Sequence, residues 1–447
     1  MELAILAVLA TGVAAFAIGR IISEFRVATA WHEAARVIGL TDVREKTFLG
    51  MLQDLRGESG DFTVILETYK AGKNESATRL SVTDRRERIP FGLDLRAEGF
   101  SSTVEKTFGA KEVEIGDPAF DEQVYVRGPE DVLRALLHAP TRACVLQAIA
   151  AGGRIVDGKI RAEWHGGGDK EELVRSMEAF LAAARSLTRP LDVTEGLVEG
   201  LRGDPLPGVR LRCLDLLARK FPSDERARAA FRQALGSTDE ELRLRAAMAL
   251  GREGRETLFE IASNPASDES RAARALATLG RATPVERAAA ILGEALRSDR
   301  RALAFAALGA LGSSAAAAAV PHLVPFLAQA DAELAVAAAR ALAEISAPAA
   351  EPPLVAALRS ENAEVRLAAV DGLGRNGSPA AVAPLHAAVD AHALDFDLRS
   401  AVRQAIASIQ SRLPGASPGQ VSLAEGEAGQ MSLAGESRGG RVTMTED

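Results

Sequence analysis

One pattern constrains this chain more than any other: an alanine-rich helix ending in Leu-Gly, Leu-Ala or Ile-Ala returns at a nearly fixed interval. The endings are Leu217-Ala218, Leu250-Gly251, Leu279-Gly280, Leu311-Gly312, Leu342-Ala343, Leu373-Gly374 and Ile406-Ala407, spaced 33, 29, 32, 31, 31 and 33 residues apart. A period of that length holds two helices of about 12 residues and two short turns. The clearest copy runs from Glu364 to Val389. Its first half sets Val365, Leu367, Ala368, Val370 and Leu373 close to helical spacing. Gly374 and Gly377 are expected to stop that helix by adopting left-handed backbone. Pro379 then opens a second helix striped by Val382, Leu385 and Val389. One such hairpin is too small to bury both of its faces, so each copy requires neighbours and the array predicts a stack.

The segments that open the repeats also match: Gly208-Val209-Arg210, Glu241-Leu242-Arg243 and Glu364-Val365-Arg366. On these residues, from Asp192 to Arg412, the chain resembles HEAT-like repeats, in particular the short variety of roughly 30 residues named after phycobilisome lyases. The resemblance spans a little under half of the chain. It implies a mostly α fold, a right-handed α-solenoid of about seven helical hairpins. It also implies a function, because such repeats mostly bind other proteins and only a minority serve enzymes. A non-enzymatic scaffold or adaptor is therefore the leading expectation. A cofactor- or chromophore-handling lyase is an alternative suggested by the subtype's name alone. It would need a cleft with paired acid–base groups on adjacent repeats, and the spacing shows none. A structural envelope component, acting through the middle domain and tail, is a third.

Composition agrees with helices packed on helices. The 447 residues are 47% hydrophobic but only 4% aromatic, so the cores must be built largely from Ala and Leu. The formal net charge of −8 argues against a general nucleic-acid binder. Two cysteines, Cys144 and Cys213, cannot supply a disulfide framework and read as buried free thiols in a reducing compartment.

The chain opens with Leu3 to Gly19, 17 residues without a charge, and Ile21-Ile22 extend the run past Arg20. That is the lower limit for a membrane-spanning helix. A cleaved signal peptide would carry Lys or Arg before the apolar run, whereas here only Glu2 precedes it. Ala28-Thr29-Ala30 imitates a cleavage site but lies beyond Arg20, Glu24 and Arg26. Residues 1–23 are therefore expected to be a single membrane anchor, in preference to a signal peptide or a buried core helix. Arg20 and Arg26 on the far side place the bulk of the chain in the cytoplasm.

Residues 24–188 read as a small α+β domain. A helix from Glu24 to about Leu40 carries Trp31, suited to a core or an interface, and His32, which has no partner at metal-ligand spacing. Alternation at Phe62, Val64, Leu66 and Tyr69, at Leu80 and Val82, at Leu93 and Leu95, and at Val124 and Val126 predicts strands. Between them stands Gly116-Asp117-Pro118-Ala119-Phe120-Asp121. From Trp31 onward this block resembles a bacterial membrane-linked domain in which a GDP-x-FD turn precedes a strand and two helices. No activity comes with that resemblance. Asp117 and Asp121 suggest a metal pair at first sight, but an Asx-type turn accounts for both. Helices at Pro129–His138 and Pro140–Ala150 follow, then a hairpin over Gly153–Trp164 turning at Asp157-Gly158. The glycine-rich His165–Asp169 loop precedes a helix, yet no GK[ST] follows, and Glu171-Glu172 would repel a phosphate there.

The array itself occupies 189–413. Ser237-Thr238-Asp239, Ser267-Asp268, Ser298-Asp299 and Ser360-Glu361 are expected to cap helices. Arg210 and Arg212, Arg243 and Arg245, and Arg271 and Arg274 recur on successive repeats. The resemblance implies that such arginines bond to a neighbouring loop. As a row they would instead suit an acidic or phosphorylated partner, and Arg210, Arg212, Arg243, Arg245 and Arg274 are the candidate partner contacts. The second half, with Ser313-Ser314, Ala315 to Ala319 and Ala337 to Ala339, suits close helix packing. His322, His386 and His392 do not make a ligand set. No catalytic residue, metal site or cofactor is expected. The expected partners are protein through the repeats and membrane through Leu3–Ile22. Residues 414–447 hold a Pro/Gly linker and three short alternating copies beginning at Gly419, Gly429 and Gly440, suited to short strands or a mobile tail.

Overall fold

The computed structural model describes residues 25–48, 51–70, 76–99, 112–165, 168–412, 421–423 and 431–433. The chain divides into two compact units, Met1–Ala249 and Leu250–Asp447. The apolar run Leu3–Gly19 lies outside the described residues. Among those described, no helix is long and apolar enough to cross a membrane.

Among the described residues, the first unit is built on an antiparallel sheet of eight strands: β1 (Thr41–Phe48), β2 (Met51–Ser59), β3 (Phe62–Lys70), β4 (Ser76–Asp84), β5 (Asp94–Ala97), β6 (Val124–Arg127), β7 (Arg154–Val156) and β8 (Lys159–His165). Their order is β1-β2-β3-β4-β8-β7-β5-β6. The alternation read from sequence sets one face: Phe62, Val64, Leu66, Leu80, Val82, Ile160 and Ala162 are buried. Helix α1 (25–38) buries Trp31, Ala34 and Ala35. Each large apolar side chain taken fully out of water stabilises by about 1.5–3 kcal/mol. Asp157 and Gly158 both take positive φ, 49° and 74°, the backbone of a type I′ turn, so the β7–β8 hairpin forms where the sequence places it. The β1–β2 hairpin has no counterpart in the sequence reading. Every residue of β1 is exposed, so no buried face imposes an apolar period on it.

Among the described residues, a single helical turn at Pro118–Asp121 and three longer helices complete the sheet domain: α2 (Glu130–Leu136), α3 (Ala139–Ala150) and α4 (Lys170–Leu187). Asp169 caps α4, its carboxylate accepting the Glu172 amide at 2.7 Å. Gly166 and Gly167 of the glycine-rich loop lie outside the described residues. His32, expected to lack a metal role, sits between two acceptors, with Nδ1 2.7 Å from the Ala28 carbonyl and Nε2 2.6 Å from Glu45. The bond to Glu45 raises the pKa of the imidazole.

Repeats follow in both units. The first unit holds α5 (Val193–Gly203) with α6 (Pro207–Lys220) and α7 (Glu225–Ala234) with α8 (Glu240–Leu250), the last residue of α8 belonging to the second unit. The second unit holds α9 (Arg255–Ser263) with α10 (Glu269–Leu279) and α11 (Val285–Arg297) with α12 (Arg301–Ser313). A broken helix over 317–326 pairs with α13 (Ala332–Glu344), α14 (Glu351–Ala357) with α15 (Ala363–Asn376), and α16 (Val382–Ala391) with α17 (Phe396–Ser411). In this unit α10, α12, α13, α15 and α17 stand side by side as one layer. Small residues set their approach: a Cβ on Gly312 would lie 2.7 Å from the Ala341 Cα, and one on Gly372 2.8 Å from the Ala343 Cα.

Two readings of the clearest repeat need correction. Gly374 does not stop α15, which runs on to Asn376. Its missing side chain lets α17 approach, since a Cβ there would lie 3.0 Å from the Ala405 Cα and Cβ. Gly377 does end the helix, but with extended backbone (φ −68°, ψ 150°) in place of the left-handed form. Capping is also redistributed. Asp239 and Asp268 cap as expected, whereas Asn362 serves α15, and Arg300, the N-cap of α12, makes no side-chain cap bond. Both thiols are free; Cys213 is buried and Cys144 only half-buried. In the tail, β9 (Val421–Leu423) pairs antiparallel with β10 (Met431–Leu433), while the third copy lies outside the described residues.

Candidate functional site

The sequence-selected arginines of the first unit lie on α6 and α8. Residues two apart point to opposite sides of a helix, and Arg210 and Arg212 diverge accordingly. Arg212 reaches Glu114 of the sheet domain at 2.7 Å, and Arg210 comes within 3.8 Å of Asp239, the cap of α8. On α8, Arg245 bonds Glu241 one turn back and Asp215 on α6. Burial works against the charge on Arg245, but these carboxylates outweigh it and raise its pKa. Arg243 is half-buried and engaged within the chain. Arg274, on α10 of the second unit, is exposed and also has contacts within the chain.

The second unit repeats the Arg210–Asp239 relationship at Arg366, which the sequence aligns with Arg210 and Arg243, and at Arg301, which it does not. Arg301 on α12 holds Asp331 at 2.6 Å, and Arg366 on α15 holds Asp395 at 2.9 Å. Asp331 caps α13 and Asp395 caps α17, so one carboxylate closes a helix end and anchors the preceding repeat. The signal was present as an Arg followed by an Asp 29 or 30 residues later. Both carboxylates are held below the usual range, Asp331 by Arg301 first, Asp395 by the Leu398 amide first and then Arg366.

A second network joins the sheet domain to the first repeat. Asp121 accepts the amides of Ile115 and Gly116, both at 2.9 Å. Asp117 accepts the Phe120 amide at 3.2 Å and Arg142 Nε at 2.7 Å. The GDP-x-FD segment is thus a single helical turn, Pro118–Asp121, capped by Asp117, and both of its aspartates are committed to hydrogen bonds within the chain. Arg142 on α3 continues to Asp204, between α5 and α6, through Nη1 at 2.8 Å and Nη2 at 3.1 Å. Burial alone would lower the pKa of Arg142, but its bonds to Asp204 and Asp117 prevail and raise it. Beside this network Gly116 and Gly208 meet backbone to backbone, and a Cβ on Gly208 would stand 2.4 Å from the Gly116 oxygen. Burial pushes the nearby Cys213 thiol up to about 12, which removes it as a nucleophile at neutral pH.

Residues 194–262 and 320–407 match the family model for HEAT repeats. These are HEAT repeats. Among solved structures, an engineered protein is 21% identical over 62% of this chain and 87% of its own, with a TM-score of 0.34. The complex of CpcE and CpcF of phycocyanin lyase from Nostoc sp. PCC7120 is 22% identical over 49% of this chain and 96% of its own, with a TM-score of 0.31. Human deoxyhypusine hydroxylase is 19% identical over 49% of this chain and 96% of its own, with a TM-score of 0.21. No curated protein matches the chain.

Among the described residues, the repeats of the second unit carry a pair of clefts that bear on binding. One, of about 620 Å³, opens between α13 and α15 and is lined by Arg340, Glu344, Glu364, Leu367, Asp371 and Arg375, among others. Its charges alternate in sign: Arg340 pairs with Glu364 at 3.0 Å and Arg375 with Asp371. These pairs are exposed, so each is worth no more than about 1 kcal/mol and exchanges readily for a partner's charges. The other cleft, about 400 Å³, is floored by Phe259, Ala290, Ile291 and Leu303. Arg287 lies over the Phe259 ring at 4.8 Å.

Proposed function

We propose that this chain is a non-enzymatic, membrane-tethered scaffold whose HEAT repeats, wound as a right-handed solenoid, present a binding surface to another protein. The observation that carries the reading is the layer α10–α12–α13–α15–α17. Its helices are locked by small-residue contacts and by arginines bonded to helix caps, and it displays the Leu367 cleft with its weak, exchangeable ion pairs. HEAT repeats generally serve protein–protein interaction, which supports the same assignment. Within it, Arg274 is retained as a partner contact because it is exposed. Arg210, Arg212, Arg243 and Arg245 are primarily ties within the chain. The tether rests on Leu3–Ile22, with the bulk of the chain on the cytoplasmic side given by Arg20 and Arg26.

The test is photocrosslinking in membranes from a reporter placed at Leu367, with Val37 as a control position. A discrete adduct from Leu367 alone, lost on Glu364→Lys/Asp371→Lys, is the expected result. No adduct, or the same adducts from both positions, would remove the scaffold assignment. Fractionation of the full chain against one lacking residues 1–23 tests the tether separately.

A further inference from the structure

The sheet domain has a cleft of its own, about 790 Å³, that the repeat reading does not use. Its walls are the end of α3 (Gln147, Ala150, Ala151), Trp164 near the end of β8, and one face of α4. On that face stand Glu172, Arg175, Ser176 and Glu178, with Ala179 and Ala182 beneath. Residues three and four apart on a helix share a side, so the two carboxylates and the guanidinium are displayed together. Among the described residues none of the three has an ion-pair partner. Ser176 is 2% exposed.

We propose that this cleft binds an arginine side chain presented by a partner polypeptide. The lining offers acceptors: two carboxylates, the Ser176 hydroxyl and the Gln147 amide oxygen. A guanidinium brings five N–H donors in a planar fork, which matches such a set better than an ammonium does. The half-buried Trp164 indole supplies a face for that plane, and indole is the ring to which cations bind best. The C-terminal end of α3 adds the negative pole of its helix. Two carboxylates against one arginine disfavour an anion. The small residues of the floor leave depth for a long side chain, and the volume exceeds one guanidinium, leaving room for the backbone that carries it. The site is built wholly from the sheet domain, so its failure would leave the repeat-surface reading standing.

The full chain is titrated with acetyl-Gly-Arg-Gly-Arg-Gly-amide, with its citrulline counterpart and with free arginine. Trp164 fluorescence is the readout, and anisotropy of a labelled peptide is a second. Of the two tryptophans, Trp31 is fully buried, so Trp164 is the one in reach of a ligand. The arginine peptide should bind saturably, and the citrulline peptide about tenfold more weakly or not at all. Glu172→Gln/Glu178→Gln should weaken binding by a similar factor. Arg175→Ala should tighten it by removing the like charge. These substitutions sit on the solvent side of α4 and leave its buried stripe intact, and a circular dichroism melt checks that each variant folds. Equal binding of the citrulline peptide, or no saturable signal from the folded wild-type chain, would overturn the proposal. Free arginine binding as tightly as the peptide would assign the cleft to a small guanidino compound and overturn the polypeptide.

Discussion

Arg142 and Asp204 form a forked ion pair, Nη1 to Oδ2 at 2.8 Å and Nη2 to Oδ1 at 3.1 Å, with both side chains withdrawn from solvent. One belongs to the sheet domain and the other to the first HEAT repeat, so the pair makes these two parts of the first unit a single body. Removing one partner of a buried pair strands the other charge. Arg142→Ala should therefore destabilise the first unit by about 3–5 kcal/mol, read as a drop in urea midpoint. Arg142→Met/Asp204→Leu should recover part of the loss. Recovery stays incomplete because Asp204 also accepts the Leu206 amide.

Gly208 tests the same junction through shape. An added methyl would stand 2.4 Å from the Gly116 carbonyl oxygen, which is backbone and cannot swing aside. Gly208→Ala should cost about 1–3 kcal/mol by overpacking. Gly203→Ala, where a Cβ meets nothing within 4 Å, should be close to neutral on the same melting curve.

The bond from Arg366 to Asp395 predicts a local effect. Arg366 also donates to the carbonyls of Ser360 and Glu361, both at 2.9 Å, so Arg366→Ala unties one turn from the next helix. A loss of about 1–3 kcal/mol is expected. Hydrogen exchange should show α17 losing protection while α12 keeps its own; a uniform loss would mean that the pair does not act between neighbouring repeats.

Asp84 gives the sheet domain an acid limit. Arg88 donates to both of its oxygens through side chain and backbone, and these bonds hold its pKa near 2 instead of 3.8. The folded pKa is depressed, so the stabilisation is complete above the unfolded value and disappears as pH falls through about 2. It amounts to about 2 kcal/mol at neutral pH. Asp84→Asn should lower the urea midpoint at pH 7 and flatten its decline between pH 5 and pH 2.

Legibility followed burial. Phe62, Val64 and Leu66 face a core and alternate, so their strand was readable. Thr41–Phe48 faces water on both sides and carries no period, so the β1–β2 hairpin was not. The arginines were conspicuous at Arg210 and Arg243 because they recur in matching segments, but their partners were hidden. Asp239 and Asp395 look like ordinary caps until the next repeat is laid beside them. Trp164, Glu172 and Arg175 were also illegible as a group, because β8 and α4 meet only in three dimensions.

The sequence alone determined the repeat, its register and the alanine-rich character of its core, because helical period and turn residues are local and recur down the chain. Only the tertiary structure decided what Gly374 and Arg142 are for. Gly374 reads as a helix stop and is in fact the space into which Ala405 packs. Arg142 reads as one more charge on a helix and is in fact the buried tie between two domains. Both roles depend on atoms tens of residues away, and the identity of a distant neighbour is not encoded in local spacing.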